Sequence, residues 1–371
     1  MPTVISIVSY PFLPAKTGGQ KGIALFYKYF SRHCRLICIT TKKNEPSAAT
    51  YEVKNTISNA ALRYINIFLF FPIYKQIKKQ KATHLQLEHP YYGWLGILLK
   101  RASGVKLIVH SHNIEFKRWK TLRKWWWPLL AGYEKKTHRN ADYSFFKTDE
   151  DKAEAVKTFG LQKEKCAVIT YGIEWNTAPT KIDRQQCRIQ LQQQHNLPDG
   201  TRIFLFNGSL DYSPNLQAVK TIIEKINPLL LNSGASYKII ICGKGLPPEM
   251  HELKEYADKN IIYTGFVEDI SIYFKGADVF INPVTEGGGI QTKLVEALGY
   301  NLNTVSTYQG AIGIAAAITG NKMKVVEDND WESFARAMIE TNNLDDIPQS
   351  FFEHFYWKNI AEKAYHFVSP A

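Results

Sequence analysis

The stretch Pro283-Val284-Thr285-Glu286-Gly287-Gly288-Gly289-Ile290-Gln291-Thr292-Lys293-Leu294-Val295-Glu296-Ala297-Leu298 holds the residue types needed to grip a phosphorylated ligand. It follows the strand-like Val279-Phe280-Ile281, at the carboxyl end of a parallel strand, where open α/β sheets bind ligands. Three consecutive glycines let the backbone approach a ligand closely. The helix they open, from about Gln291, presents free N–H groups and a positive dipole end to a phosphate. Lys293, in its first turn, adds a charge-assisted contact worth about 1.5–3 kcal/mol. Glu296, one turn on, can accept hydrogen bonds from two neighbouring hydroxyls, as on a ribose. The plainer readings are a solvated helix lysine and a capping or surface carboxylate. A triple glycine alone is weak evidence; the ordered set strand–Pro–Gly-rich–Lys–x–x–Glu–Ala–Leu is specific.

Three further groups can do chemistry. Gly18-Gly19 follows the first strand, as a flexible loop or an ordinary tight turn. His110-Ser111-His112-Asn113-Ile114-Glu115 ends another strand, with His110 the more structural of its two histidines and His112 either a site residue or a satisfied structural one. Residues 116–130 then interleave cations with Trp119, Trp125, Trp126 and Trp127 at helical spacing. Tryptophan favours the water–headgroup boundary, and each Lys or Arg is drawn to anionic lipid by about 1 kcal/mol. The span 117–130 is therefore a candidate for docking on an anionic membrane surface, or else a helix that packs its tryptophans into the domain. Single-stranded nucleic acid suits the same pattern, but no nucleic-acid fold signature accompanies it, so no nucleic-acid partner is expected.

The elements that position these groups follow from period and length. At 371 residues the chain exceeds what one core normally serves, so two domains are expected. Val4–Ser9, Leu36–Thr40, Leu85–Glu88 and Lys106–His110 read as short buried strands, alternating with helical patterns over Gly22–His33 and Tyr92–Lys100. The apolar run Ile65–Tyr74, too short to span a bilayer, reads as a buried helix. The polar, Gln-rich stretch from Glu174 to about Gly200 reads as the interdomain connection. Alternation restarts with Ile203–Asn207, a helix from Pro214, Tyr237–Cys242, a helix near Pro248–Lys259, Ile261–Tyr263, Asp278–Ile281, Thr304–Ser306 and Lys324–Val326. A final helix is expected over Glu353–Phe367. Neither half carries GxGxxG with a downstream acid, which disfavours an ordinary dinucleotide fold.

Charge is unevenly placed. Residues 1–171 carry 29 Lys+Arg against 11 Asp+Glu, a balance of +18, whereas residues 172–371 carry 17 against 23, or −6. The basic half suits an anionic surface or ligand, or is simply a solvated basic face. Cys34, Cys38, Cys166, Cys187 and Cys242 form no CxxC pair and read as reduced core thiols of a cytoplasmic protein. Met1-Pro2-Thr3 runs straight into a strand, with no signal-peptide pattern.

The segment 283–298 resembles the donor-binding signature of glycosyltransferase family 4, in a variant written GxGxxxKxxEA. Phe206-Asn207-Gly208-Ser209-Leu210-Asp211-Tyr212-Ser213-Pro214-Asn215 is similar to the family's first strand-loop of the donor domain, and Ile241-Cys242-Gly243-Lys244-Gly245 to its xGxG turn. Thr264-Gly265-Phe266-Val267-Glu268-Asp269 resembles the GxVxD loop that meets the base, and Ser306-Thr307 with Gly310 to Ile314 the closing loop. The likeness spans essentially the whole chain and is tightest over residues 203–315.

The resemblance implies a GT-B fold: α/β, two doubly wound Rossmann-like domains facing a central cleft. Residues 1–172 would bind the acceptor and 173–352 the nucleotide sugar, with a C-terminal helix within 353–371 packing back on the first domain. It implies a retaining hexosyltransferase that moves sugar from a nucleoside-diphosphate sugar to a glycan or lipid-linked acceptor, for cell-surface polysaccharide or glycolipid. No cofactor and no metal are expected, in keeping with the lack of a DxD-type acidic pair in a plausible position, and the protein would sit in the cytoplasm or on the inner face of the cell membrane. Donor contacts fall on Gly208, Ser209, Gly243, Lys244, Phe266, Val267, Glu286, Gly287, Gly288, Gly289 and Ile290. Lys293, Glu296 and His112 take catalytic roles, His112 touching the transferred sugar or acceptor. Gly18, Gly19, Asn113 and Glu115 face the acceptor. Two departures stand out. Counting back eight from Glu296 reaches Gly288, where the family usually places a second glutamate; Glu286 is the nearby acid. Gly208 to Asn215 also lacks the Arg and Lys that many members carry there. A sugar-nucleotide epimerase of the same fold, or a catalytically silent binding protein, remain the other readings.

Overall fold

The structure, a computed structural model, describes residues 1–369. It divides into two units, one built from Met1–Glu174 together with the chain from Phe355 on, the other from Trp175–His354.

In the first unit, β1 (Thr3–Val8), β2 (Arg35–Thr41), β3 (Glu52–Ile57), β4 (His84–Glu88), β5 (Lys106–His110), β6 (Tyr143–Phe146) and β7 (Cys166–Val168) form one sheet. Their order is β3-β2-β1-β4-β5-β6-β7, and every neighbouring pair is parallel. Helices cover both faces, so the central strands β1, β4 and β5 are buried apart from the first residues of β1 and β5. The register sets Val8 beside Glu88, Glu88 beside His110 and His110 beside Phe145. Glu88 and His110 thereby end adjacent strands at the carboxyl edge.

In the second unit, β8 (Arg202–Asn207), β9 (Tyr237–Cys242), β10 (Ile261–Gly265), β11 (Val279–Asn282), β12 (Asn303–Thr307) and β13 (Met323–Val326) form a second sheet. Its order is β10-β9-β8-β11-β12-β13, again parallel throughout. Phe204, Phe206, Val219, Ile222, Ile239, Ile241 and Phe334 fill its core.

Several expectations need correcting. Ile65–Tyr74 is not one buried helix: Asn66 accepts from the Phe68 N–H and stops a 3₁₀ turn, and a regular helix starts only at Phe70. Leu69 and Ile73 are buried, but Ile65, Ile67, Phe68 and Phe71 face solvent. Gly18 and Gly19 form no loop. They open the helix Gly18–Phe30, because Thr17 and Gln20 close a capping box over its start. The Gln-rich connection is largely a 15-residue helix, Lys181–His195, started by a Thr180–Asp183 capping box. Its polar sequence reflects an interface made mostly by polar groups: Leu191 is its one fully buried side chain, while Arg184 and Arg188 donate to backbone carbonyls of residues 275–277 and 301. The final helix is two, Gln349–Phe355 and Trp357–Val368, interrupted where Tyr356 bridges to Ile173 in parallel. The last two residues of the expected 353–371 segment lie outside the described residues. The strands β3, β6 and β7 are not anticipated: β3 is half-exposed and polar, and the other two are only 4 and 3 residues long. Among the described residues no helix is long and apolar enough to cross a membrane.

The Lys181–His195 helix lies tight against Gly276, where a Cβ would come within 2.8 Å of the Cys187 carbonyl oxygen and of Leu191. Gly276→Ala is expected to cost about 2 kcal/mol of stability from overpacking, read as a lower urea midpoint at constant m-value. An unchanged midpoint would contradict that contact.

Candidate active site

In the second unit the loops after β8, β9, β11 and β12 meet at the carboxyl edge. Lys293 is the second residue of the Thr292–Gly299 helix and its side chain is buried. Its Nζ donates to Asn215 Oδ1 at 2.9 Å and lies 4.3 Å from the centre of the Phe206 ring. Neither partner is charged. Burial pushes the ammonium down to about 7. The other face of the Asn215 amide donates from Nδ2 to the Ser209 carbonyl at 2.9 Å. That fixes the amide's orientation, and Oδ1 is left facing the lysine.

Backbone proximity explains two of the glycines. Gly243 has φ +151, and a Cβ there would run into the carbonyl oxygen of Gly208. Gly287, at φ +114, sits with Tyr212 Oη 3.5 Å and Pro214 Cγ 3.9 Å from where its Cβ would be, and its carbonyl accepts from Gln309 Nε2. The loop over Gly287–Gly289 is thus held between the turns that follow β8 and β12. Around it, Glu286 and Gly288 are exposed, Ile290 and Glu296 are half-buried, and Lys244 is exposed. Phe266 shows 72% of its surface beside half-buried Val267, an aromatic face open for stacking. Ser209 donates to Asp211.

In the first unit a buried network gathers at the ends of β4, β5 and β6. The carboxylate of Glu88, fully buried, accepts from Tyr27 Oη at 2.8 Å, Gln86 Nε2 at 2.6 Å, and the imidazoles of His110 (Nδ1, 3.1 Å) and His112 (Nε2, 2.6 Å). Burial alone would raise this carboxyl; the two histidines outweigh it and hold Glu88 well below the ordinary carboxylate range. His112 is pulled well below its usual value, by burial first and then by His89 and Lys147. It is therefore neutral near pH 7. The nitrogen facing the carboxylate carries the proton, which leaves Nδ1 of His112 as an acceptor.

A second imidazole–carboxylate pair stands beside the first. His89 has Nδ1 3.2 Å from Glu115 Oε1 and Nε2 3.0 Å from Tyr10 Oη, and its ring centre is 4.4 Å from that of His112. Its backbone is held at φ 66, a conformation found mostly where surrounding structure enforces it. Glu115 also accepts from Tyr91 at 2.9 Å and is fully buried, so its carboxylate orients His89 and Tyr91, while Asn113 is half-buried. Lys147, one residue past β6, is buried, and its Nζ has no hydrogen-bond partner among the described residues. Burial brings it down to about 8, against the pull of Glu88. The donor atoms of Glu88, His110 and His112 lie within 4.8 Å of one another, close enough to surround a metal ion. A dication fits this set poorly, because Tyr27 and Gln86 already donate to the carboxylate and the buried Lys147 ammonium acts on the cluster.

Sequence comparison bears on what these edges serve. Residues 17–175 match the family described as Glycosyltransferase Family 4, and residues 201–343 that described as Glycosyl transferases group 1. The chain belongs to glycosyltransferase group 1, family 4. It is 27% identical over 158 residues to an uncharacterized 44.6 kDa protein in the cps region of Klebsiella pneumoniae, covering 41% of this chain and 40% of that protein. The chain thus spans about two fifths of the length of the curated relatives it matches. The fold is similar to that of a glycosyltransferase from Rickettsia africae ESF-5, with TM-score 0.75 and 16% identity, covering 100% of this chain and 99% of that one. It is similar also to Anabaena Alr3699/HepE, solved in complex with UDP, with TM-score 0.74, 13% identity and full coverage of both chains. Two Rossmann-like sheets of 7 and 6 strands make this the GT-B fold.

In this family 4 member the groups that hold the central residues leave little trace in the sequence. Asn215 and Phe206 stand inside the segment 206–215, yet nothing in their spacing marks them as the seat of Lys293. Glu88 carried a readable signal: an acid closing the apolar strand Leu85-Gln86-Leu87 at its ligand-binding end. The tryptophan segment also divides. Trp127 stacks near Phe116 and Trp119 meets Trp126, whereas Trp125 is 83% exposed, with Leu122 and Leu129 also open to solvent.

Replacing Glu88 by Gln puts an amide NH₂ among four donors. Each buried donor left unsatisfied costs about 1–3 kcal/mol, so Glu88→Gln is expected to lose at least about 2 kcal/mol of stability in urea denaturation. Wild-type stability in this variant would rule out the network.

Proposed function

We propose that this family 4 member is a retaining glycosyltransferase that moves a hexose-type sugar from a nucleoside-diphosphate sugar to a glycan or lipid-linked acceptor of the cell surface. The observation that carries the reading is the buried Lys293 ammonium, held by neutral groups at a glycine-rich helix start. No carboxylate competes for this lysine, so an incoming anion can restore and take up its full charge.

The second unit is the donor-binding part of this proposal. The diphosphate lies against Gly287–Gly289 and Lys293, the base against Phe266, and the ribose hydroxyls against Glu296, with Glu286 standing nearest to the position taken by Gly288. In the reaction the anomeric C–O bond to the diphosphate breaks. The acceptor hydroxyl oxygen bonds to the same carbon and passes its proton to the departing diphosphate. Charge grows on the departing diphosphate, and Lys293 with the helix N–H groups offsets it, without a divalent ion. The first unit is the acceptor-binding part, in which the Nδ1 of His112 accepts from a hydroxyl of sugar or acceptor, fixed in place by Glu88. HepE's complex with UDP supports uridine diphosphate as the first donor nucleotide to try. Trp125, Leu122 and Leu129, set among Lys117, Lys120, Arg123 and Lys124, support docking on the inner, anionic face of a membrane, where a lipid-linked acceptor would lie.

Calorimetric titration with UDP tests the donor site. Lys293→Met and Glu296→Ala are each expected to weaken binding at least tenfold, and if neither does, the assignment is wrong. The pH dependence has a definite sign. Lys293 is held at about 7 when free, and an adjacent diphosphate favours its charged form, so wild-type affinity falls relative to Lys293→Met as pH rises through 7. A constant ratio across pH 6–9 would remove the lysine from the site. Sedimentation with vesicles containing anionic lipid should drop when Leu122, Trp125 and Leu129 are changed to Ser. Unaltered sedimentation, or none in the parent protein, excludes the membrane contact.

A further inference from the structure

Away from the Gly287–Gly289 corner, the second unit contains a cavity of about 670 Å³ at the opposite, amino edge of its sheet. Arg202 begins β8, Asp278 precedes β11, Asn303 begins β12 and Lys322 precedes β13, and all four line it. The Lys181–His195 helix closes one side with Lys181, Arg184 and Arg188.

The charge there runs against the rest of the unit. Residues 172–371 are net acidic, yet six of their seventeen Lys and Arg line this cavity, against two carboxylates. Both carboxylates are engaged: Asp278 pairs with Arg188 at 2.6 Å, and Asp346 accepts from Asn301 at 2.5 Å. Three of the other cations are bound by neutral oxygens. Arg184 Nη1 donates to the Asn301 carbonyl at 2.8 Å, Arg202 Nη1 to that of Ile339 at 2.5 Å and Lys322 Nζ to that of Asn343 at 3.2 Å. Such contacts fix the positive heads without cancelling them. Burial, and after it Arg184, brings the Lys322 ammonium down to about 8, a sign that the excess positive charge is felt.

A brace of loops would leave these walls satisfied, and they are not. Thr201 Oγ1, Arg202 Nε, Asn303 Oδ1, Thr341 Oγ1 and Asn343 Nδ2 are buried with no hydrogen-bond partner among the described residues, and every one belongs to a lining residue. Buried polar atoms are normally paired, so five unpaired ones leave the walls of this cavity short of internal partners. Hydroxyls and amides suit a polyol, and the uncancelled cations suit phosphate. No aromatic side chain is among the described lining residues, which leaves a nucleobase nothing to stack on. The volume lies within the range of small-molecule pockets.

We infer that this cavity is a second ligand site, distinct from the donor corner, which takes a phosphorylated sugar. The inference does not depend on where the nucleotide sugar binds.

Glucose 1,6-bisphosphate, inorganic pyrophosphate and glucose, titrated calorimetrically into the full chain at physiological salt, test it. The Lys293→Met background silences the donor corner. The bisphosphate is expected to bind, glucose not, and Lys322→Gln to weaken the bisphosphate at least tenfold. Because Lys322 is buried and its loss can disturb folding, the pair Lys181→Gln with Lys275→Gln, nearer the rim, carries the same test and should cost at least fivefold. Absence of bisphosphate binding, or binding indifferent to both sets of changes, overturns the site. Pyrophosphate binding as tightly as the bisphosphate overturns its sugar half.

Discussion

An ammonium held inside a protein by nothing more than an amide oxygen and the face of a ring is an unstable arrangement unless its neighbours are fixed. Lys293 is held in this way, and the edge of the second sheet is organised around that constraint. Asn215 can orient the lysine only because its other side is tied to the Ser209 carbonyl. Gly208 must lack a side chain because Asn215 occupies the space a Cβ would need, and Gly243 because Gly208's own carbonyl comes so close. Lysine, asparagine and two glycines thus form a sequence of dependences, each residue type set by the one before. A carboxylate at position 215 would satisfy the lysine better and spoil it as a receptor for anions.

The first unit meets the same difficulty with the opposite sign. Glu88 is a buried anion, and four donors surround it instead of a single cation. Two of those donors are imidazoles that burial keeps neutral, so the network stays polar without becoming a pair of full charges. Lys147 acts on the cluster from the end of β6 and makes protonation of either histidine less favourable still. Both sheets therefore carry a charge at the carboxyl ends of their strands, and in both the local chemistry holds that charge without direct neutralisation by a partner of full opposite charge.

How far the sequence discloses this depends on the scale of the feature. The two parallel sheets follow from short apolar strands alternating with helical patterns, and Lys106–His110 and Tyr237–Cys242 have the bounds that alternation suggests. Lys293 and the glycines are visible because a strand end, a glycine run and a helix start are local events. Elements governed by distant partners are not. The helix Lys181–His195 looks like a linker because its arginines make contacts with carbonyls about 90 to 117 positions away. Gly18 and Gly19 look like a loop because glycine suggests one, although Thr17 and Gln20 cap a helix there. Glu88, His89 and Lys147 come together through register between strands, which no single stretch of sequence records.

One detail of the chain path reaches further than its size. Ile173 and Tyr356 lie side by side as the chain leaves the first unit and returns to it, with the Ile173 N–H on the Phe355 carbonyl and the Trp357 N–H on that of Ile173. Trp357 is fully buried there, beside Phe26 and Tyr171. The second unit is in this sense inserted into the first, contiguous in itself while its host is split. During synthesis the host must wait, its core missing a tryptophan until the whole insert has emerged, whereas the insert has everything it needs as soon as it is made. Order of assembly is thereby written into connectivity, and the half with the buried lysine is free to finish first.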